Sequence, residues 1–157
     1  MLDDFLIHVF HKGNTLEAYK VFGAHLETND HKKGVRFTVY APNARSVQVV
    51  GDFNDWDGQN HYMERYTDGG IWTLFIPGVK ELALYKYRIE TQNFATVDRA
   101  DPYAFYSELR PGTASRVYNI ERFRWADKKW LNSRTKNFDK PMNIYEVNIG
   151  SWKMKKD

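Results

Sequence analysis

The segment GDFNDWDG, residues 51–58, places three aspartates, an asparagine and a tryptophan within eight positions. The carboxylates could bind a metal or act as acid catalysts, and the indole could stack on a sugar ring. An EF-hand register that puts Gly58 at the glycine position places Phe53 where the first carboxylate ligand is required, which argues against calcium. A general acid needs a pKa raised by burial, whereas carboxylates in a polar turn stay ionised. We therefore predict that these aspartates form a turn, with no metal or catalytic site.

Trp56 is the residue of this segment that suggests binding. A sugar has an apolar ring face and a rim of hydroxyl groups, so it needs a flat aromatic ring beside polar groups such as Asn54 and Lys86. The opposite interpretation is that Trp56 folds back over the end of the domain as a plug. The composition of the turn favours neither interpretation over the other.

The remaining composition excludes several classes of function. The chain has 157 residues, of which 42% are hydrophobic and 27% charged, as in ordinary globular domains. The net charge of +3 is small and its largest basic cluster lies at residues 153–156, so no nucleic-acid partner is expected. Cysteine is absent and the five histidines show no ligand spacing, so no metal or other cofactor is expected. With no membrane span and no signal peptide in the sequence, a cytoplasmic location is expected.

Periodicity predicts the elements that position the turn. Apolar and polar residues alternate over residues 35–40 and 46–50, which is typical of half-buried strands, and Pro42 and Asn43 predict a hairpin turn between them. Further strands are predicted over residues 71–76, 84–91, 94–98 and 116–119, with two short helical pieces within residues 2–20. The predicted fold is all-β: an immunoglobulin-like antiparallel β-sandwich with a short helical N-terminal segment and an irregular C-terminal linker.

The chain is predicted to have four segments. They are an N-terminal helical segment at 1–22, the sandwich at 23–120, a linker at 121–142 with one helical turn after Asp127, and the start of another domain at 143–157. The last segment contains NIYEVNIGSW, which has the pattern of a strand but no later partner. Because a strand needs a neighbour, we expect this chain to be a piece of a longer protein.

Four blocks of the sequence, in this order and spacing, resemble a known family. They are GVRFTVYAPNARSVQVVGDFNDWDG, ALYKYRIE, ADPYAFYSELRPGTAS and KPMNIYEVNIGSW. Together they resemble the amino-terminal part of bacterial glycogen branching enzymes, and the last block is similar to the first strand of the catalytic barrel. The resemblance implies a carbohydrate-binding module of family 48 within a glycoside hydrolase family 13 parent that converts α-1,4-glucan segments into α-1,6 branches. It also implies that residues 143–157 begin a truncated barrel and that no catalytic residue lies in this chain.

The resemblance further implies which residues contact the glucan. A tryptophan in the GDFNDW-like turn and a lysine in the YKY-like strand bind sugar in related modules, which assigns Trp56 and Lys86, with Asn54 beside them. Phe94 and Ser115 occupy the positions of a second tryptophan and of an asparagine in those modules. The implied partner is an α-glucan such as glycogen or maltooligosaccharides.

Two alternatives stay open. One alternative is that the chain is the sandwich of a debranching hydrolase from the same hydrolase family. Otherwise it binds no sugar and packs against its own catalytic barrel through exposed aromatic side chains, for which the candidates are Tyr103, Phe105, Trp125 and Trp130.

Overall fold

The computed structural model describes residues 2–67, 69–136 and 139–152. The chain divides into two compact units, Met1–Arg122 and Phe123–Asp157. The basic cluster at residues 153–156 and the end of the predicted barrel segment lie outside the described residues.

A short helix begins the first unit. Helix α1 spans Asp4–His11, and the Asp3 carboxylate accepts hydrogen bonds from the backbone N–H groups of Phe5 and Leu6 at 3.0 and 3.1 Å. A carboxylate at this position satisfies free N–H groups of the first turn and interacts favourably with the helix dipole. A 3-10 turn follows at Ala18–Lys20. These elements confirm the prediction of two short helical pieces.

Two antiparallel sheets in the described part of the first unit confirm the predicted all-β sandwich. The first sheet contains β1 (Gly23–Asn29), β2 (Lys32–Tyr40), β4 (Glu64–Thr67) and β5 (Ile71–Pro77), in the order β1-β2-β5-β4. The second contains β3 (Ser46–Gly51), β6 (Leu84–Glu90), β7 (Thr96–Arg99), β8 (Tyr106–Ser107) and β9 (Ser115–Arg116). Its order is β3-β6-β9-β8, and β7 also pairs with β6.

The core lies between the two sheets. Phe37 of β2 and Tyr85 of β6 are fully buried and meet across the interior, with ring centroids 5.0 Å apart. Several valines fill the same layer: Val35, Val39, Val47, Val49 and Val117. Burying a side chain of this size contributes on the order of 1.5–3 kcal/mol, so this layer holds the sheets face to face.

The predicted hairpin through Pro42 and Asn43 is wrong. Strand β2 pairs with β1 and β5, whereas β3 pairs with β6, so the turn carries the chain from one sheet to the other. Alternation indicates which face of a strand is buried but does not indicate which strand lies beside it. Strand β2 instead forms a hairpin with β1 through Asp30 and His31, which both have positive φ. Strand β1 lacks a clear apolar alternation, and the sequence does not predict it.

A buried carboxylate ties the loop after β7 to the second sheet. Asp101 accepts hydrogen bonds from the Tyr85 and Tyr87 hydroxyls at 2.6 and 3.1 Å and from the Tyr103 backbone N–H at 2.8 Å. Its own N–H donates to the Ser115 hydroxyl at 2.9 Å. Burial raises the pKa of the Asp101 carboxyl and of both tyrosine hydroxyls, so the tyrosines remain protonated donors. This network positions the chain that leads to β8 and β9.

The second unit contains two short helices among its described residues, α2 at Lys128–Ser133 and α3 at Ile149–Trp152. Helix α2 confirms the predicted helical turn, although the Asp127 side chain makes no capping hydrogen bond. The predicted strand within residues 143–152 is wrong, because residues 141–148 have no regular structure. A strand is stable only beside a hydrogen-bonded partner, and no described residue of this unit provides one. Across the described ranges, no helix is both long and apolar enough to cross a membrane.

Candidate functional site

The turn that contains Trp56 begins where β3 ends. Gly51 lies in extended backbone, and a Cβ atom there would sit 2.2 Å from the Leu84 carbonyl oxygen, so only glycine fits. A 3-10 turn over Asp52–Asn54 follows, and both Asp55 and Trp56 adopt left-handed conformations with φ of 52° and 60°. A bulky residue rarely adopts positive φ. The backbone at Trp56 is therefore strained, and neighbouring contacts must hold it.

Asn54 supplies several of these contacts from inside the turn. Its side-chain oxygen accepts a hydrogen bond from the Gly51 N–H at 2.8 Å. Its Nδ2 lies 3.0 Å from the Val49 carbonyl, to which it donates, and 2.9 Å from His61 Nδ1. The Asn54 amide is thus engaged within the protein, where it holds the turn in shape.

The aspartates shape the turn as predicted. Asp57 Oδ1 accepts a hydrogen bond from the Gln59 N–H, two residues on, at 3.0 Å. Asp52 Oδ2 accepts from the Leu84 N–H at 3.1 Å and so links the turn to the start of β6. The Asp57 contact spans two residues, whereas the Asp52 contact joins segments 32 residues apart, and neither needs a metal or a substrate.

Trp56 lies outside the hydrophobic core. Its N–H donates to the Gly51 carbonyl at 2.9 Å, and its carbonyl accepts from Arg88 Nη1 at 3.2 Å. The side chain is half-buried and belongs to neither core cluster. Phe53 fills the end of the sandwich instead, with its ring 6.0 Å from that of Phe37. The structure therefore gives the plug position to Phe53 and leaves Trp56 at the surface.

Lys86 and Arg88 lie on the outer face of β6, the strand that approaches Trp56. Lys86 Nζ donates to the Thr113 hydroxyl at 2.7 Å. Arg88 donates through Nε and Nη2 to both carboxylate oxygens of Asp98, at 2.8 and 3.0 Å. This hydrogen-bonded pair lowers the pKa of the Asp98 carboxyl and raises that of Arg88. The pair fixes the guanidinium that in turn holds the Trp56 carbonyl.

Phe94 follows the C-terminal end of β6. It belongs to the turn between β6 and β7, has positive φ, and is 68% exposed. The Arg45 guanidinium lies over its ring, 4.0 Å from the centroid. Lys86 and Glu90, the last residue of β6, are four positions apart, about 13 Å along a strand. Phe94 is therefore exposed, but it lies at some distance from Lys86.

Ser115 differs most from its predicted role. It pairs with Tyr85, whose side chain points into the core, and only 2% of Ser115 is exposed. Its hydroxyl accepts the hydrogen bond from the Asp101 N–H. The structure does not bring Ser115 to the surface with Trp56 and Lys86, because paired residues on neighbouring antiparallel strands face the same side.

The four aromatic residues expected to pack against a barrel divide between the two units. In the first unit Tyr103 stacks on Phe22 with centroids 5.2 Å apart, and the Phe105 ring meets Tyr19 and His25 edge-on. In the second unit Trp125 and Trp130 are 76% and 61% exposed.

Sequence reasoning did not assign three residues that shape this surface: Phe53, Arg88 and Thr113. The position of Arg88 could have been predicted, because it follows Lys86 by two positions in a strand and must therefore lie on the same face. Phe53 is the apolar residue of an otherwise polar turn and was the better candidate for a plug. Thr113 had no such signal, since its contact with Lys86 depends on how the chain between β8 and β9 folds.

Together these features define an all-β sandwich module with an ordered surface around Trp56, Lys86 and Arg88. The chain belongs to the carbohydrate-binding module 48 family, also described as the isoamylase N-terminal domain, whose family model matches residues 21–104.

The chain is also similar to individual proteins. It is 48% identical over 150 residues to the 1,4-alpha-glucan branching enzyme GlgB of Bacillus cereus. The aligned region covers 94% of this chain and 23% of that protein. The corresponding enzyme of Bacillus mycoides is 47% identical over the same length. This chain therefore spans about a quarter of the length of these relatives.

Solved structures share the fold. A maltotriose complex of a Klebsiella pneumoniae PulA mutant matches with a TM-score of 0.51 and 28% identity, over 67% of this chain and 12% of that chain. A pullulanase from Anoxybacillus complexed with maltotetraose matches with a TM-score of 0.55 at 24% identity, over 66% of this chain and 14% of that one. The second match, at 24% identity, shows only that the two chains share a fold.

Proposed function

We propose that this chain is the glucan-binding module of a 1,4-α-glucan branching enzyme and that its Trp56 surface binds α-glucan. The observation that carries the proposal is Trp56 itself: the indole lies outside the core in a strained backbone held by two hydrogen bonds. Strained residues of this kind cluster at functional sites. The 48% identity to branching enzymes supports this parent over a debranching one, for which the pullulanase likeness reaches 28%.

Each site residue has a distinct role in this proposal. Trp56 stacks on one face of a glucose ring, and Lys86, oriented by Thr113, donates to its hydroxyl rim. Phe94 offers a second exposed ring farther along the sheet. Asn54 and Ser115 act indirectly, Asn54 through the turn and Ser115 through the Asp101 loop.

The affinity of a single platform is weak. One stacked glucose hides about 100 Å² of apolar surface, which contributes on the order of 2–3 kcal/mol before ordering costs are subtracted. With a few hydrogen bonds added, a short maltooligosaccharide binds with a dissociation constant on the order of 1 mM. A module of this strength guides long chains rather than capturing short ones.

The parent protein carries the chemistry in this proposal. It transfers α-1,4-glucan segments to 6-hydroxyl groups to form α-1,6 branches in cytoplasmic glycogen biosynthesis, through carboxylates in a barrel that begins near residue 143. The module itself supplies no catalytic residue and no cofactor.

A bracing role is a second candidate function, and the second unit supports it. Trp125 and Trp130 are exposed, as is Phe123 at 67%, which packs edge-on against Trp125 at 4.9 Å. Large exposed apolar groups of this kind mark protein contacts. We assign them to packing against the catalytic barrel of the same protein, and we assign the half-buried Tyr103 and Phe105 of the first unit to the same role.

The test is affinity electrophoresis of the 157-residue chain in gels that contain glycogen. Trp56→Ala is expected to weaken retention by about 30–100-fold, the value that the lost stacking corresponds to. Trp130→Ala is the matched control, since it removes an exposed indole from the second unit and is expected to leave retention unchanged. Equal retention of wild type and Trp56→Ala would refute glucan binding at this surface and leave the bracing role.

A further inference from the structure

A polar cleft of about 260 Å³ lies on the outer face of the second sheet, beside the Trp56 turn. Its lining residues are Ser46, Gln48, Tyr62, Arg88, Glu90 and Thr96. Two rows of strand pairs form its floor: Gln48 opposite Arg88, and Ser46 opposite Glu90. We call this feature the Tyr62 cleft.

Tyr62 forms one wall of the cleft and lies along the edge of β3 opposite to β6. It makes an isolated antiparallel bridge with Gln48. On either side, the Val49 N–H donates to the His61 carbonyl at 3.0 Å and the Met63 N–H donates to the Val47 carbonyl at 2.8 Å. The side chain is 53% exposed. A rigid backbone therefore presents a tyrosine ring to solvent at the border of a polar floor.

The polar groups of the cleft fall into two sets. Arg88 is held by Asp98, and Glu90 accepts a hydrogen bond from the Ser46 hydroxyl at 3.0 Å. In contrast, among the described residues the Gln48 amide and the Tyr62 and Thr96 hydroxyls have no hydrogen-bond partner. The cleft thus combines one open aromatic ring with donors and acceptors that no protein group uses, which suits a polyhydroxyl ligand.

The cleft is continuous with the Trp56 surface. Arg88 lines the cleft and also donates to the Trp56 carbonyl. Lys86 and Arg88 are two positions apart on β6, about 7 Å along the strand. At its other end the cleft reaches Glu90 and Thr96, which flank the turn that carries Phe94. A chain that starts on Trp56 and follows this face meets the Tyr62 cleft before it meets Phe94.

We propose that the Tyr62 cleft is an extension subsite, which takes the glucose residues next to the one stacked on Trp56 in the same α-glucan chain. Tyr62 stacks on a sugar ring there, and Gln48 and Thr96 bond to its hydroxyls. The inference rests on the proposed function. It adds that the module selects chain length, because only a longer chain occupies both Trp56 and the cleft.

The test compares maltotriose and maltoheptaose binding to the 157-residue chain by isothermal titration calorimetry. Tyr62→Ala is expected to weaken maltoheptaose binding about tenfold and to change maltotriose binding by less than about twofold. Tyr62→Phe keeps the ring and is expected to retain most of the preference for the longer chain. Tyr106→Ala, a matched control that removes a 46% exposed tyrosine of the same sheet outside the cleft, is expected to change neither.

Trp56→Ala separates failure of this inference from failure of the proposed function. If Trp56→Ala weakens both ligands and Tyr62→Ala changes neither, or changes both equally, the extension subsite is refuted while glucan binding at Trp56 stands. If Trp56→Ala changes neither ligand, the proposed function falls and the extension falls with it. Native tryptophan fluorescence and circular dichroism of Tyr62→Ala are the check that the variant is folded.

Discussion

The Tyr85–Asp101 hydrogen bond offers a sharp test of how burial sets the strength of a contact. Tyr85→Phe removes only the hydroxyl that donates to Asp101 at 2.6 Å and leaves the buried ring in place. Tyr66→Phe is an unusually close control. Its hydroxyl also donates to an aspartate, Asp4, at 2.6 Å, but this pair lies at the surface. The two substitutions delete the same bond in different surroundings.

The two substitutions are expected to cost different amounts of folding stability, because water can replace the Tyr66 hydroxyl at the surface but cannot replace the Tyr85 hydroxyl in the core. After Tyr85→Phe the Asp101 carboxyl stays buried with one donor fewer, which costs about 1.5–3 kcal/mol, the range for a hydrogen bond to a charged group. After Tyr66→Phe water solvates the Asp4 carboxylate, so the expected loss is below about 0.5 kcal/mol. In a chain of this length the larger loss lowers the melting temperature by about 5–10 °C.

Urea unfolding followed by tryptophan fluorescence measures both values, and thermal melts provide a second reading. Equal losses for Tyr85→Phe and Tyr66→Phe would refute the reasoning that burial, rather than bond length, determines the contribution. A loss below about 0.5 kcal/mol for Tyr85→Phe would also contradict it, since the network around Asp101 would then be dispensable.

Two further predictions follow from the same structure. Trp56→Gly is expected to be more stable than Trp56→Ala by about 0.5–1 kcal/mol in urea unfolding, because glycine adopts φ near 60° without the penalty that a Cβ carries; a more stable alanine variant would contradict the strain at this position. The second concerns Asp101, whose folded-state pKa is raised by burial, opposed by its bonds to Tyr85 and Tyr87 and by the charge of His25. The folded protein therefore holds this proton more tightly than the unfolded chain, and the stability that this group contributes is lost as pH rises above its ordinary pKa of about 4. Asp101→Asn cannot titrate, so the stability of wild type minus that of the variant should fall as pH rises above about 4; a rising difference in urea titrations would show the opposite sign.

Much of the candidate site can be predicted from the sequence without knowledge of the tertiary structure. The GDFNDWDG composition predicts a turn, and period-two alternation places Lys86 on the polar face of its strand. Asn54 and Asp57 support the turn through contacts of a few residues' range. Such local contacts are visible in a sequence because the groups involved are close along the chain.

Other features depend on contacts between distant segments. Ser115 follows a predicted loop and has the chemistry of a ligand contact, yet its pairing with Tyr85 turns it into the core. Pro42 and Asn43 form a turn as expected, but that turn joins two sheets rather than two neighbouring strands. The Tyr62 cleft has no sequence signal, because it arises where residues from β3, β6, β7 and the 61–63 segment meet.

The sequence by itself determined the fold class, the turn and the presence of Trp56 within it, since side-chain period and turn chemistry are local properties of the chain. The tertiary structure decided which residues face the same surface: it packed Phe53 rather than Trp56 against the core, joined Lys86 to Thr113, and buried Ser115. The physical reason is that strand register and the packing of two sheets are set by the whole set of buried contacts, which no short stretch of sequence contains.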